Sequence, residues 1–91
     1  MPHVQSQEHL ILGRAVREMR VRRDLSQEGL GLRSGLHRNY IGAIERGEIN
    51  PTFKIQLKLA VGLGFPLSEL IALYERRRTE YDLPSHEASR P

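Results

Sequence analysis

The chain has 91 residues, no Cys and a formal net charge of +3, which fits one small domain and excludes disulfides, thiol catalysis and thiolate metal sites. No apolar run reaches the length of about 20 residues that a membrane span requires, and the first residues lack the charged and apolar segments of a signal peptide. We therefore expect a cytoplasmic protein, whose modest basic excess is consistent with a polyanionic partner.

Residues 1–7 are polar and show no periodic pattern, so we expect a disordered N-terminal arm there. A first helix is predicted from about residue 8 to residue 23, because apolar residues recur at helical spacing: Leu12, Val16 and Met19. Arg14 and Arg17 lie mostly on the outward side of this helix and are candidate phosphate contacts. A solvated charged face explains each of these arginines at least as well when it is taken singly.

The middle of the chain predicts two short helices joined by a tight turn. Ser26 is a good N-cap, because its hydroxyl can accept from a free amide of the first helical turn. The helix then runs to about Ser34, and Gly35 tolerates the left-handed backbone that commonly closes a helix. A second helix opens at His37 and ends at Gly47. The apolar residues that these helices bury are Leu30, Leu36, Ile41 and Ile44.

The second of these helices has an outward face with distinctive chemistry. Arg38, Asn39 and Ala43 are predicted to point away from the core. Arg can bind guanine O6 and N7, and Asn can bind adenine N6 and N7, so this face has the chemistry to enter a DNA major groove. A solvated helix face in an ordinary small bundle explains the same residues. The residue types alone do not separate the two interpretations.

Two further helices are predicted. Thr52 is the expected N-cap of the fourth and Gly64 its end, with an apolar surface made of Phe53, Leu57, Leu59, Ala60 and Leu63. The fifth opens around Pro66, where the missing amide donor does no harm, and its apolar stripe is Leu67, Leu70, Ile71 and Tyr74. We expect this helix to end near residue 79 and residues 80–91 to form a flexible tail, because apolar residues are few there.

The fifth helix carries more apolar residues than one narrow stripe contains. Leu73 falls to one side of the stripe, so we expect an exposed apolar patch there. Such patches mark contact surfaces, and the predicted dimer interface is Leu70, Leu73 and Tyr74. The alternative is that Leu73 lies singly on the surface, which is common.

The sequence offers no chemistry for catalysis or for a cofactor. The four histidines show no ligand spacing on one helix, so we expect no metal site. The scattered glycines match neither dinucleotide-binding nor P-loop patterns. Carboxylates are spread singly along the chain, and we find no support for an enzyme.

A set of residues at fixed mutual spacing resembles the Cro and lambda-repressor type of helix-turn-helix domain, often called XRE-like. These residues are Gln27-Glu28, Leu30, Gly35-Leu36, Tyr40-Ile41, Ile44-Glu45-Arg46-Gly47 and Asn50-Pro51. The resemblance extends from about Leu12 to Leu73, and the segment 36–41 looks most like the controller proteins of restriction–modification systems. It implies an all-α domain of five helices over residues 8–79, with the helix-turn-helix in helices two and three.

The same resemblance implies roles for single residues. The position of Arg20 pairs in the family with the glutamate that matches Glu45, which would clamp the first helix to the end of the recognition helix. Gln27 would position the protein on phosphate, and Arg46 is a further phosphate candidate. Arg38 and Asn39 would read bases, and a base edge or a thymine methyl group would be touched by Tyr40 and Ala43.

The function that the resemblance implies is sequence-specific binding of double-stranded DNA by a transcriptional regulator. The family usually binds inverted repeats as a two-fold homodimer, whose half-sites lie about 34 Å apart. Gln56 stands where the family usually has a core-facing leucine, so it should find hydrogen-bond partners or lie at a subunit boundary. The alternative is an antitoxin-like protein-interaction module with this fold, which would bind little DNA at physiological salt.

Overall fold

The computed structural model describes residues 6–89, and side chains up to residue 81. It contains five helices: α1 (Gln7–Arg22), α2 (Gln27–Ser34), α3 (Arg38–Glu45), α4 (Phe53–Leu63) and α5 (Leu67–Ser89). The all-α fold of five helices that the sequence predicts is confirmed. The predicted N-terminal arm lies outside the described residues except for Ser6 and Gln7, and Gln7 already belongs to α1.

Local capping residues set the bounds of the helices. The hydroxyl groups of Ser26 and Thr52 accept from the backbone amides three residues further on, at the start of α2 and α4. At the other end of these helices, Gly35 and Gly64 adopt left-handed backbone with φ values of 73° and 75°. Both helices therefore have the bounds that the sequence predicts. His37 caps α3, because its Nδ1 accepts from the amide of Asn39 over 3.0 Å.

Gly35→Val should lower the free energy of unfolding by about 1–3 kcal/mol, because a β-branched residue is strained at positive φ. No atom lies within 4 Å of a Cβ built on Gly35, so the loss would come from backbone strain and not from a collision. Gly35→Asn is the matched control, since Asn tolerates the left-handed region. Thermal melts of both variants measure the effect. A Val variant that melts with the parent would contradict the role of this turn.

The core collects side chains from all five helices, and these are Ala15, Val16, Met19, Leu30, Ile41, Ile44, Leu59, Leu63, Leu70 and Leu73. α1 lies very close to the end of α3. A Cβ on Gly13 would collide with the carbonyl oxygens of Ile44 and Glu45, so only glycine permits this approach. The contact fixes the position of α3 against α1.

The structure corrects the predicted interface on α5. Leu70 and Leu73 are both 0% exposed and pack in the core. The reason is that α5 contacts two neighbours, α1 and α4, so it needs a wider buried stripe than one neighbour would require. Tyr74 is half-buried at the edge of the core. An exposed patch that includes Leu73 does not exist in this monomer.

A second correction concerns α4. Leu59, Ala60 and Leu63 are buried as predicted, but Phe53 and Leu57 are 67% and 42% exposed. Val61 is 73% exposed and lies one turn beyond Leu57. Phe53, Leu57 and Val61 are spaced by four residues and so share one helix face. We call these three residues the α4 stripe.

Gln56 borders the α4 stripe and is half-buried. Its side-chain amide donates to the carbonyl oxygen of Pro51 over 3.1 Å, so Gln56 has one of the partners that its position requires. Together with Asn50, Ile71 and Tyr74 it lines a cleft of about 210 Å³ between α1, α4 and α5. The α4 stripe and this cleft therefore lie side by side.

α5 continues through the predicted boundary at residue 79. Arg77 pairs with Glu80 at 2.9 Å, and the hydroxyl of Thr79 donates to the carbonyl oxygen of Glu75 over 3.0 Å. Arg77 also joins α5 to α1, since its guanidinium lies 2.6 Å from the carboxylate of Glu18. This pairing lowers the pKa of Glu18. The helix reaches Ser89, while the last two residues of the predicted tail lie outside the described part of the chain.

Among the described residues, no single helix combines the length and apolar character needed to cross a membrane. Taken together, α4 and residues 67–81 would have the length and composition of a membrane span, but the two helices meet at a bend of 100°.

Candidate nucleic-acid interface

α3 turns one face towards the core and the opposite face towards solvent. Ile41, Ile44 and Glu45 are buried. Asn39, Ala43 and Arg46 recur at i, i+4 and i+7 on the outer side, where Asn39 and Arg46 are exposed and Ala43 is half-buried. We call these three residues the outer face of α3. An α-helix with its side chains is about 10–12 Å across, which fits within the width of a DNA major groove.

Arg38 and Tyr40 flank the outer face of α3. The Nη1 atom of Arg38 lies 3.7 Å from the carboxylate of Glu28, and both side chains are more than half exposed. An exposed pair of this kind holds its members weakly, so Arg38 can reach a ligand in front of α3. Tyr40 is half-buried and packs against the core, which restricts its ring to the rim of this face.

A buried ion pair holds α3 in place. The side chain of Glu45 is 4% exposed and that of Arg20 is 12% exposed. Arg20 donates to the two oxygens of Glu45 over 2.6 Å and 3.1 Å, and its third bond, of 2.8 Å, goes to the carbonyl oxygen of Leu25. The structure therefore contains the clamp between α1 and the end of α3 that the resemblance implies.

Gln27 joins the same cluster from the start of α2. Its side-chain amide donates to Oε1 of Glu45 over 3.0 Å. A Cβ built on Gly42 would lie 3.4 Å from Oε1 of Gln27 and 3.1 Å from Nη1 of Arg46. The missing side chain of Gly42 thus leaves room for both Gln27 and Arg46 over α3. The beginning of α2 and the end of α3 form one continuous polar surface.

The two arginines of α1 line one cleft together with Glu18 and Val21, but they occupy different positions around the helix. Gly13 marks the side of α1 that meets α3, and Arg17 is one turn further along on the same side. Arg14 follows Gly13 directly and is therefore rotated by about 100°. It lines a cleft with Arg77 and Glu80 of α5. By helix geometry, Arg17 is therefore closer than Arg14 to the side of α1 that meets α3.

Sequence reasoning placed His37 at the start of α3, where its ring nitrogen caps the helix, but it did not identify two other residues that shape this surface. Gly42 makes room for Gln27 and Arg46, and Glu48 binds Arg46. Only Gly42 left a signal in the sequence, because a glycine inside a short helix costs about 1 kcal/mol relative to alanine and usually has a packing reason.

A clamped, protruding helix with Arg and Asn on its solvent side, preceded by a helix and a tight turn, defines a helix-turn-helix domain. A sequence profile of the helix-turn-helix family matches residues 16–70, which is more than half of the chain. The chain belongs to this family. It is a DNA-binding transcriptional regulator.

Individual relatives point in the same direction. The control protein C.SmaI of Serratia marcescens is 44% identical over 61 residues, which cover 67% of this chain and 73% of that protein. The transcriptional repressor RstR of the cryptic phage CTXphi from Vibrio cholerae is 37% identical over 57 residues, 63% of this chain and 51% of that protein. Among solved structures, the restriction–modification controller protein C.AhdI from Aeromonas hydrophila superposes with a TM-score of 0.70 at 40% identity. That alignment covers 71% of this chain and 98% of C.AhdI.

Proposed function

We propose that this regulator is a controller protein of a restriction–modification system, which binds an inverted-repeat operator as a homodimer in the cytoplasm. The observation that carries the proposal is the outer face of α3, held by the buried pair of Arg20 and Glu45. The similarity to C.SmaI and C.AhdI supports the biological context. We propose no enzymatic activity and no cofactor for it.

Selection of binding sites from a random pool of double-stranded DNA tests this function directly. The expected result is an enriched sequence with two-fold symmetry, whose half-sites are spaced by about one helical turn. Enrichment of no sequence, together with little DNA binding at physiological salt, would favour the antitoxin-like interaction module instead.

Roles on DNA follow from where each side chain lies. Arg38 and Asn39 are exposed at the start of α3 and are the proposed base readers. Tyr40 and Ala43 are half-buried beside them and are proposed to contact a base edge or a thymine methyl group. Gln27 and Arg46 occur together over Gly42, where they are proposed to contact one stretch of the phosphate backbone. On α1, Arg17 is the stronger candidate for phosphate contact and Arg14 the weaker one.

The partner proposed for the α4 stripe is a second copy of this chain. In a two-fold dimer the same patch of both subunits meets itself, so a patch with one sign of charge would repel its copy. Phe53, Leu57 and Val61 carry no charge, which suits such a contact. The neighbouring cleft extends the apolar surface through Ile71 and Tyr74. Tyr74 thus remains in the proposed interface, whereas Leu70 and Leu73 support it from the core.

Arg38→Ala should lower the affinity for the selected operator by about 1–3 kcal/mol and relax the preference at one base pair. Arg17→Ala should instead weaken binding to all DNA sequences alike and reduce the salt slope by about one unit, as expected for a lost phosphate contact. Titrations of the selected duplex and of a scrambled duplex at several salt concentrations separate the two cases. If Arg38→Ala lost the same affinity for both duplexes, Arg38 would not be a base reader.

A further inference from the structure

A carboxylate binds the arginine of the outer face of α3. Arg46 follows α3 directly, and its side chain is 60% exposed. Its Nε donates to Oε2 of Glu48 over 2.9 Å, and its Nη2 donates to Oε1 of Glu48 over 3.1 Å. Two parallel bonds of this kind fix the orientation of a guanidinium as well as its position. Glu48 therefore favours this orientation of Arg46.

The remaining terminal nitrogen of Arg46, Nη1, points back over α3. A Cβ built on Gly42 would lie 3.1 Å from this Nη1 and 3.4 Å from Oε1 of Gln27, so both side chains lie over Gly42. Glu48 thus occupies one edge of the guanidinium and turns the other edge towards the residue proposed to share its phosphate contact. In this orientation, Arg46 and Gln27 are both placed to contact the same stretch of the DNA phosphate backbone, as proposed above.

The same pairing reduces the net charge that DNA meets at this point. Hydrogen bonding by Glu48 raises the pKa of Arg46, because the carboxylate favours the charged form of the guanidinium. The Arg46–Glu48 pair therefore presents almost no net charge to an approaching phosphate group. A phosphate therefore gains less from approaching this pair than from approaching an unpaired arginine, and this reduction applies to DNA of every sequence.

We propose that Glu48 is a specificity-determining residue that acts through Arg46. It lowers the affinity for DNA of arbitrary sequence, and it holds Arg46 in the orientation that the operator complex uses. This inference rests on the proposed function, in which Arg46 contacts phosphate. It assigns to a carboxylate in the α3–α4 loop a role in discriminating operator from other DNA.

Glu48→Gln keeps the shape of the side chain and removes its charge. Affinity for a scrambled DNA duplex should rise by roughly 2- to 5-fold, the size expected for an exposed ion pair. The dependence of the logarithm of affinity on the logarithm of salt concentration should become steeper by up to about 0.9. Affinity for the operator selected by the parent protein should rise less, because the orientation of Arg46 is lost at the same time. The ratio of operator to scrambled affinity should therefore fall.

Two controls isolate the effect. Glu69→Gln makes the same change in net charge on α5, at an exposed position far from the outer face of α3. In an Arg46→Gln background, Glu48→Gln should have no effect beyond that of Glu69→Gln. Glu48→Asp keeps the charge and shortens the reach, so scrambled-DNA affinity should stay near that of the parent while operator affinity falls.

Two results would overturn the inference. One is a Glu48→Gln protein that binds scrambled DNA no better than Glu69→Gln does, and the other is an equal effect in the absence of Arg46. A parent protein that binds neither duplex would overturn the proposed function instead, before any variant is compared. Thermal melts of each variant, matched to that of the parent, establish that binding is compared between folded proteins.

Discussion

Glu45→Ala should lower the free energy of unfolding by about 3–5 kcal/mol, which is a large share of the stability of a small domain. The variant leaves the guanidinium of Arg20 with a buried charge and no carboxylate beside it, since the Arg20 side chain is only 12% exposed. It also removes the acceptor of the Gln27 amide. α1, α2 and α3 meet at this carboxylate, so the loss should destabilise the helix-turn-helix as a unit.

Denaturant unfolding of the parent and the variant measures this loss as a change in the transition midpoint at constant slope. Glu48→Ala is the matched control, because it breaks an ion pair between the same residue types whose arginine is 60% exposed. That control should lose no more than about 1 kcal/mol. If both variants lost the same amount, the buried pair would contribute no more than a surface pair does, and the clamp would be refuted.

The bounds of α2 and α4 were predictable because capping depends on near neighbours. Ser26 and Thr52 act on amides three residues away, and Gly35 and Gly64 act through their own backbone. Neither effect requires knowledge of the rest of the fold. The pair of Arg20 and Glu45, 25 residues apart in the sequence, has no such local signal, and only the family resemblance implied it.

The outward surface of α4 was not predictable from the sequence, and the reason is its pattern. Apolar side chains occupy every second position from Phe53 to Leu63. On a helix this spacing turns by about 200° per step, so it distributes apolar residues on opposite sides. One row, Ile55, Leu59 and Leu63, packs inwards; the other is the α4 stripe. Only the placement of neighbouring helices decides which row is buried.

For α5 the prediction from the sequence made the opposite error, because a residue expected to be exposed is buried. Its apolar residues fit one stripe with Leu73 beside it, and a single neighbouring helix would leave Leu73 exposed. The structure supplies two neighbours, and Leu73 is 0% exposed. The Arg46–Glu48 pair was missed for a related reason, since the ends of long side chains meet only once the loop between α3 and α4 has its shape.

Replacing Phe53 and Leu57 by Gln should convert the protein from a dimer into a folded monomer. Both side chains lie mostly or partly in solvent, so their loss should cost the monomer little stability, whereas it would put two amides into a dry interface. Binding to the two-half-site operator should fall by roughly 10²- to 10⁴-fold, because the second half-site is then no longer engaged as an intramolecular event. Leu73 is unsuitable for this test, because a polar residue there would disrupt the core.

Sedimentation analysis at micromolar concentration, with and without operator DNA, measures the oligomeric state. The matched control replaces Val21 and Leu32 by Gln, because these apolar residues are 58% and 80% exposed on α1 and α2 and lie outside the α4 stripe. The control should remain dimeric. That result would show that dimerisation depends on the α4 stripe itself and not on exposed apolar side chains in general. A parent protein that stays monomeric both free and on DNA would refute the dimer. A dimer that survives the Phe53 and Leu57 substitutions would refute the α4 stripe as its interface and require the second subunit to dock elsewhere.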